Sequence, residues 1–177
     1  MGLEALDSTK PADVSLAELV QVLEGQGAID IYETNLRSAW NAVKRNGLVI
    51  CSDVFSKIDR EDIIEIWNLE GKQLFLSFHA LRYFSYTLEE LRTLPFWELF
   101  DRDVRYEALF AEEYVRLLKS DMKTTYKVNI PTHIVKEKRS KCGYVSEVTP
   151  KYMSPLKARD GRVVAVIYTC SARRLEN

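Results

Sequence analysis

The apolar residues of this chain repeat with two different periods, and the order of those periods constrains the fold more than any other feature. Between Ile63 and Leu76 the period is two. Ile64 and Ile66 alternate with Glu65, Trp67 follows, and Leu74-Phe-Leu76 forms a second run after the turn residues Asn68-Leu-Glu-Gly71. This pattern predicts two strands joined as a hairpin. From Ala80 to Lys119 the pattern is helical. Ala80 to Phe84 is a short helical piece, and Thr87-Leu-Glu-Glu90 is a capping box that opens a helix of two turns at most. Pro95 restarts the chain ahead of one apolar turn, Phe96 to Phe100. Residues 104–119 make a longer helix with Tyr106, Leu109, Phe110, Tyr114, Leu117 and Leu118 on its inner side. After Asp121 alternation returns. Tyr126, Val128 and Ile130 mark one face of a strand running to about Val135, Tyr144 to Met153 is a fourth strand, Ala158 to Gly161 a turn, and Val163 to Thr169 a fifth strand.

Two helical stretches precede this core. Ser15-Leu-Ala-Glu18 is a capping box, and Leu16, Leu19, Val20 and Leu23 follow on one face before Gly25 and Gly27 end the run. The second helix spans about Ile29 to Asn46, with Ile29, Tyr32, Leu36, Trp40 and Val43 forming one stripe. That stripe serves either as packing against the chain's own core or as a dimerisation face, because paired helices use the same spacing. Two heptads or so are too few for a secure coiled coil. Strand and helix both remain open for residues 48–56.

Composition narrows the class. The 177 residues suffice for one good domain with an extra segment, and no metal or disulfide is needed to hold a core of that size. The charges nearly cancel, 25 basic against 26 acidic, which disfavours nucleic-acid binding by bulk charge and a polybasic membrane anchor. They divide unevenly: residues 1–62 carry 11 acidic and 6 basic side chains, a net of −5, leaving +4 for residues 63–177. The expected division is therefore an N-terminal helical flank over 1–61 and an α/β core over 62–177. No apolar run approaches the roughly 20 residues of a membrane span, and Met1 to Pro11 has no apolar core of the signal-peptide kind. Three scattered cysteines, Cys51, Cys142 and Cys170, read as reduced thiols of an intracellular protein, cytoplasmic or nuclear.

Two strands, several short helices, one longer helix and three strands is an order that resembles the PAS domain. The local words agree. Asn68 through Gly71 to Ser77 looks like that family's first hairpin and the entry to its helical segment, and Tyr86-Thr-Leu-Glu-Glu-Leu91 is similar to its "GY-x-x-E-E-L" word. Ser154-Pro155 followed by Arg159-Asp-Gly-Arg162 looks like its last hairpin. The resemblance covers about residues 62–172. Ser77 stands where the family often has Asn, and Ser85 where it has Gly. The resemblance implies an α+β fold: a curved, five-stranded antiparallel sheet with helices on one face, plus the N-terminal helical extension. It implies a non-catalytic sensory or protein-interaction module, the regulatory or dimerisation part of a transcriptional regulator or other signalling protein, acting as a homodimer or with a protein partner.

The residues add their own constraints on ligand and chemistry. Haem requires an axial ligand; haem-binding members of the family this chain resembles carry it as a His on the long helix, and the 104–119 helix here contains no His. His79 is expected to be partly buried and bonded to backbone, His133 to be a surface residue. Light-sensing members of the family this chain resembles carry a flavin-bonding Cys on the helix before the long one, and the corresponding segment here, Leu94 to Arg102, has none. No cofactor is therefore predicted, with haem and flavin disfavoured, no metal site is expected, and an unidentified small ligand fits. Glu112 and Glu113 read as solvated helix surface, and Lys136 to Lys141 as a solvated basic hairpin tip. Ten aromatic residues fall between Trp67 and Tyr114. Phe75, His79, Tyr83, Phe96, Tyr106, Phe110, Tyr114, Tyr126 and Tyr168 are the candidate pocket residues, since buried Tyr hydroxyls need partners. Two alternatives stand beside this reading: a constitutive docking domain with a filled core, and an enzyme of the cone-like ketosteroid isomerase or cyclase fold, for which His79 is the only candidate residue.

Overall fold

The computed structural model describes residues 25–27, 29–119, 125–139 and 142–175. The helix read from the Ser15 capping box lies outside them. In chain order the elements are helix α1 (Ile31–Arg45), strand β1 (Val49–Ile50), a 3-10 turn (Val54–Lys57), β2 (Ile63–Asn68), β3 (Gln73–Leu76) and a second 3-10 turn (Phe78–Arg82). Then come α2 (Leu88–Thr93), α3 (Phe96–Leu99), β4 (Phe100–Arg102), α4 (Val104–Lys119), β5 (Tyr126–Lys127), β6 (His133–Glu137), β7 (Val145–Lys157) and β8 (Val163–Leu175).

The strands form one antiparallel sheet in the order β3-β2-β8-β7-β6-β4, with β1 and β5 pairing to β7. The five expected strands are its continuous centre, the last strand lying beside the first. The short strands β1, β4 and β5 refine the expectation. Val49–Ile50 settles the open reading of residues 48–56 in favour of a strand followed by a 3-10 turn. Phe100–Arg102, read from sequence as the end of a helical turn, instead pairs with β6. The strand expected from Tyr126 to Val135 is broken into β5 and β6 around Pro131, which has no N–H to give a ladder.

Local chemistry sets the connections. The β2–β3 turn closes with the Gly71 N–H on the Asn68 carbonyl (3.1 Å), while Asn68 Oδ1 accepts from the Glu70 and Lys72 N–H groups. Gly71 has φ of +79°, the left-handed region a side chain resists. The entry to the helical segment is held by Ser77, whose Oγ accepts from the Ile64 N–H (2.9 Å) and whose N–H donates to the Ile64 carbonyl. Asn35 of α1 accepts the next N–H, that of Phe78. Ser77 and Asn35 together thus tie down the entry to the helical segment. The Thr87–Glu90 capping box forms as expected. Tyr86 is buried and pins two segments, donating to the Leu99 carbonyl (2.5 Å) and accepting from the Lys138 and Arg139 N–H groups.

The sheet is covered on both faces, so there are two cores. On the front face, Ile63 and Leu76, with Val166, Tyr168 and Cys170, pack beneath α2, α3 and α4. On the back face, Ile64, Ile66, Phe75, Ala165 and Ile167 pack beneath α1. The axis of α1 is fixed by small residues. Ala39 and Ala42, 0% and 2% exposed, let the helix approach the sheet closely, with Ile31 and Val43 buried beside them. Of the predicted stripe, Tyr32, Leu36 and Val43 pack into this back core, the Tyr32 hydroxyl donating to the Ile58 carbonyl. Ile29 precedes the helix. Trp40 sits at its margin, 44% exposed, edge-on to Phe55. The helix and β1 of the N-terminal flank are thus packed into the same body as the sheet.

Candidate ligand site

Alternation carries particular side chains to the front face. From β2 these are Ile63, Glu65 and Trp67, and their partners across the ladder on β8 are Cys170, Tyr168 and Val166. Arg102, at the end of β4 opposite Val135, enters the same space from the other side. Its side chain is 9% exposed. The guanidinium lies between two aromatic rings, 4.0 Å from the centre of Phe96 and 4.4 Å from that of Phe110. Its ion-pair partner is Glu107 at 3.8 Å, longer than a hydrogen bond.

These residues line two adjoining spaces between sheet and helices. One is a narrow, partly open cavity of about 50 Å3 that includes Gln73, Leu91 and Val148, enough for a few waters. The other is an open pocket of about 360 Å3, walled by Phe110, Ala111 and Tyr114 of α4 and by Met153 and Val166 of the sheet. Glu65, Trp67, Phe96, Arg102 and Tyr168 belong to both. At the pocket mouth Leu69 and Trp97 are 45% and 68% exposed.

Polar groups in this region are incompletely paired. Glu65 Oε2 accepts from Trp67 Nε1 (2.9 Å) and Gln73 Nε2 (3.2 Å). Arg102 Nε, the Tyr168 hydroxyl and Gln73 Oε1 are buried without a hydrogen-bond partner among the described residues. Each such group costs about 1–3 kcal/mol. Burial raises the pKa of Glu65 and lowers that of Arg102, because a low-dielectric site disfavours both charged forms. Burial also lifts the Tyr168 hydroxyl and the Cys170 thiol well above their usual values, and pushes Tyr114 up to about 12. Cys170 is therefore a thiol here, not a nucleophilic thiolate.

Four of the nine candidate pocket residues, Phe96, Phe110, Tyr114 and Tyr168, meet in the open pocket. Phe75 is a correction: it is buried in the back core, on the face away from the pocket. His79 is buried, as expected, with Nδ1 3.1 Å from the Asp62 carbonyl, and it lines neither space. Tyr83 packs at the border of the front core, and Tyr126 lies near the surface, bonded to Arg116. Tyr106 stacks on His133, ring centres 4.6 Å apart, in a polar groove that shares only Arg102 with the pocket. His133 is a second correction. It is 3% exposed rather than a surface residue, because β6 turns His133, Val135 and Glu137 inward together and α4 covers the first. Glu113 and Glu137 are likewise buried, at 3% and 4%, where solvated positions were expected. Glu137 accepts from the Ser85 N–H and hydroxyl and from the Tyr144 N–H. Leu118, expected on the inner side of α4, is 39% exposed.

Glu65, Gln73 and Arg102 were missed by the sequence reading. Glu65 carried the available signal, since it alternates in register with Ile63 and Trp67, which also lie on the front face. Among the described residues no cluster of three His, Cys, Asp or Glu side chains is placed to hold a metal, and no helix is long and apolar enough to cross a membrane.

No protein-family model matches the chain, and no curated protein does. Solved structures similar to it include a domain assigned to a light and redox sensing histidine kinase from Haloarcula marismortui, at 12% identity and a TM-score of 0.40, covering 65% of this chain and 90% of that one. A PAS domain from a two-component sensor histidine kinase aligns at 15% identity and 0.38, covering 64% and 85%. The photo-excited blue-light photoreceptor Vivid aligns at 13% and 0.40, covering 67% and 80%. These identities and scores are low, and the fold rests on the chain's own strand order. A central antiparallel sheet of two leading and three trailing strands, with the intervening helices on one face, is a PAS-like α+β fold.

Proposed function

We propose that this chain is a ligand-binding regulatory module that works by binding rather than by turnover. The observation that carries this reading is the open pocket of about 360 Å3, in which aromatic walls surround the buried and incompletely paired Arg102 and Tyr168. Its size falls in the range of small-molecule sites, and apolar walls with a few convergent polar groups are what such sites have. A core that served packing alone would gain stability by replacing those polar groups with apolar ones. The enzyme reading loses its residue, since His79 faces neither space.

Output follows from the pocket's position. Its walls are α4 and the inner face of β2 and β8, and α1 is packed on the opposite face of the same two strands. A ligand that fits one arrangement of those strands better than another shifts the population of α1 positions, provided its affinity for the two differs. A signalling role inside a cell, in a homodimer or with a protein partner, is the setting in which such a shift is read. A protein partner seated at the pocket mouth is a second reading, favoured by the exposure of Trp97 and Leu69.

Native mass spectrometry of the purified protein, paired with a denatured spectrum, tests the proposal. The expected result is an added mass of small-molecule size that is released on denaturation and absent from an Ala111→Trp variant, which fills the pocket. Bare mass in both proteins, with no thermal stabilisation of either by a small-molecule library, overturns it.

A further inference from the structure

Arg102 is presented in a way that selects among ligands. Two aromatic rings, Phe96 and Phe110, have their centres 4.0 and 4.4 Å from its guanidinium carbon. Rings pack against the guanidinium, and its N–H groups donate in its own plane, at its edges. One edge looks to Glu107 at 3.8 Å, a side chain that is itself half exposed at the mouth. The Nε donor has no partner among the described residues, although the side chain is more than nine-tenths buried. Glu65, the other charged group at the inner end, already receives two N–H donors, from Trp67 and Gln73. Among the charged groups of the pocket the unmet demand is thus Nε, a donor that lacks an acceptor, while the unpaired Gln73 Oε1 belongs to the adjoining cavity. The Nε edge of an arginine matches a carboxylate, which takes two parallel N–H bonds from Nε and a terminal nitrogen.

We infer that the pocket takes a planar aromatic carboxylate, with its carboxylate on the in-plane edge of Arg102 and its ring system between α4 and the sheet. This rests on the ligand-binding reading above and adds the class of ligand. The aromatic part is set by the walls, Phe110 and Tyr114 on one side and Met153 and Val166 on the other. The volume, near the lower end for small-molecule sites, limits the ring system to about two fused rings. Tyr168, whose hydroxyl is also unpartnered, supplies a further donor from the floor.

The test is isothermal titration of the whole chain with three probes of one shape: 2-naphthoate, 2-naphthamide and 2-naphthylmethylamine. On the wild-type protein naphthoate is expected to bind about tenfold or more tighter than naphthamide, as a charge-assisted pair in a buried site provides. In Arg102→Met the two become equal. Arg102→Lys retains the charge without the planar fork, so it falls between them, and it decides the matter if circular dichroism shows the Met variant to be unfolded. Naphthoate and naphthamide binding within about twofold of each other on the wild type, or an unchanged ratio in the folded variant, overturns the carboxylate assignment and leaves the pocket reading standing. Tightest binding by the amine overturns it in favour of Glu65 as the anchor. Binding of none of the three overturns both the assignment and the pocket reading.

Discussion

The two faces of the sheet are built from the same strands to opposite specifications. On the back, Ile64, Ile66, Ala165 and Ile167 are 1% exposed or less and meet Ala39, Ala42 and Val43 of α1. The polar groups there are small, uncharged and largely bonded, Ser77 to Ile64, Ser52 to Ser154 and Asn35 Oδ1 to the Phe78 N–H, with Asn35 Nδ2 and Thr169 Oγ1 the atoms left without a partner among the described residues. On the front, the alternate residues of β2 and β8 include Glu65 and Tyr168, Arg102 enters between two rings, and space remains. One face is packed to stabilise. The other carries polar groups that cost stability, which is the usual signature of a site kept for binding. Neighbouring positions on one strand, Glu65 and Ile66, therefore do different jobs.

The sharpest way to break this contrast is to attack the back face. Replacing Leu36 and Trp40 together with Asp places charge against the back core, at a cost of more than about 4 kcal/mol, comparable to the whole stability of a domain. The cooperative thermal transition is expected to vanish. A folded monomer derived from a wild-type dimer would instead show that the stripe is an interface. Next in size is Ile66→Ala, a fully buried position, expected to cost about 2–5 kcal/mol in urea unfolding. Its front-face counterpart, Arg102→Met, is expected to change stability by about 1 kcal/mol or less, since an apolar side chain of similar length replaces a buried cation. Equal losses at Ile66 and Arg102 would erase the distinction between the faces.

The smallest effect sharpens the comparison through pH. Burial raises the Glu65 pKa, so the folded state holds this proton more tightly than the unfolded chain. The charged carboxylate then opposes folding as pH rises from the ordinary carboxylate range through the raised value, and the penalty is complete above it. Glu65→Gln cannot ionise. Relative to wild type it is expected to be more stable at pH 7 than at pH 4, the difference shrinking as pH falls. Paired melting curves across that range check it, and a difference independent of pH would show that Glu65 meets the same surroundings in both states.

Much of the fold was legible because the strands and helices that carry it are locally consistent. The β2–β3 hairpin, the Thr87 capping box and the 104–119 helix were readable from turn chemistry, a cap and one apolar stripe. Two short strands were not. β1 and β4 are two and three residues long, too short to show a period, and pair with the edges of β7 and β6; the break of the third strand into β5 and β6 was also not readable. The site was half legible for a related reason. Aromatic residues announce themselves, and four of them do meet in the pocket. Which face each residue takes depends on α1 covering the back of the sheet: with both faces buried, the alternation Ile63-Ile64-Glu65-Ile66-Trp67 no longer says which side is solvent. That is why the sequence places Phe75 among the pocket residues and does not single out Glu65. Arg102 gave no signal, because its burial is produced by Phe96 and Phe110 folding over it from two different helices.

The claim that the front face is open to a ligand and the back face closed is tested most directly by methyl nuclear magnetic resonance of the whole chain during addition of 2-naphthoate. The account predicts saturable shifts of the Val166 and Met153 methyl signals, which face the pocket, with those of Ile66 and Ile167 unmoved. Shifts led by Ile66 and Ile167, or no shifts at millimolar probe, would contradict it.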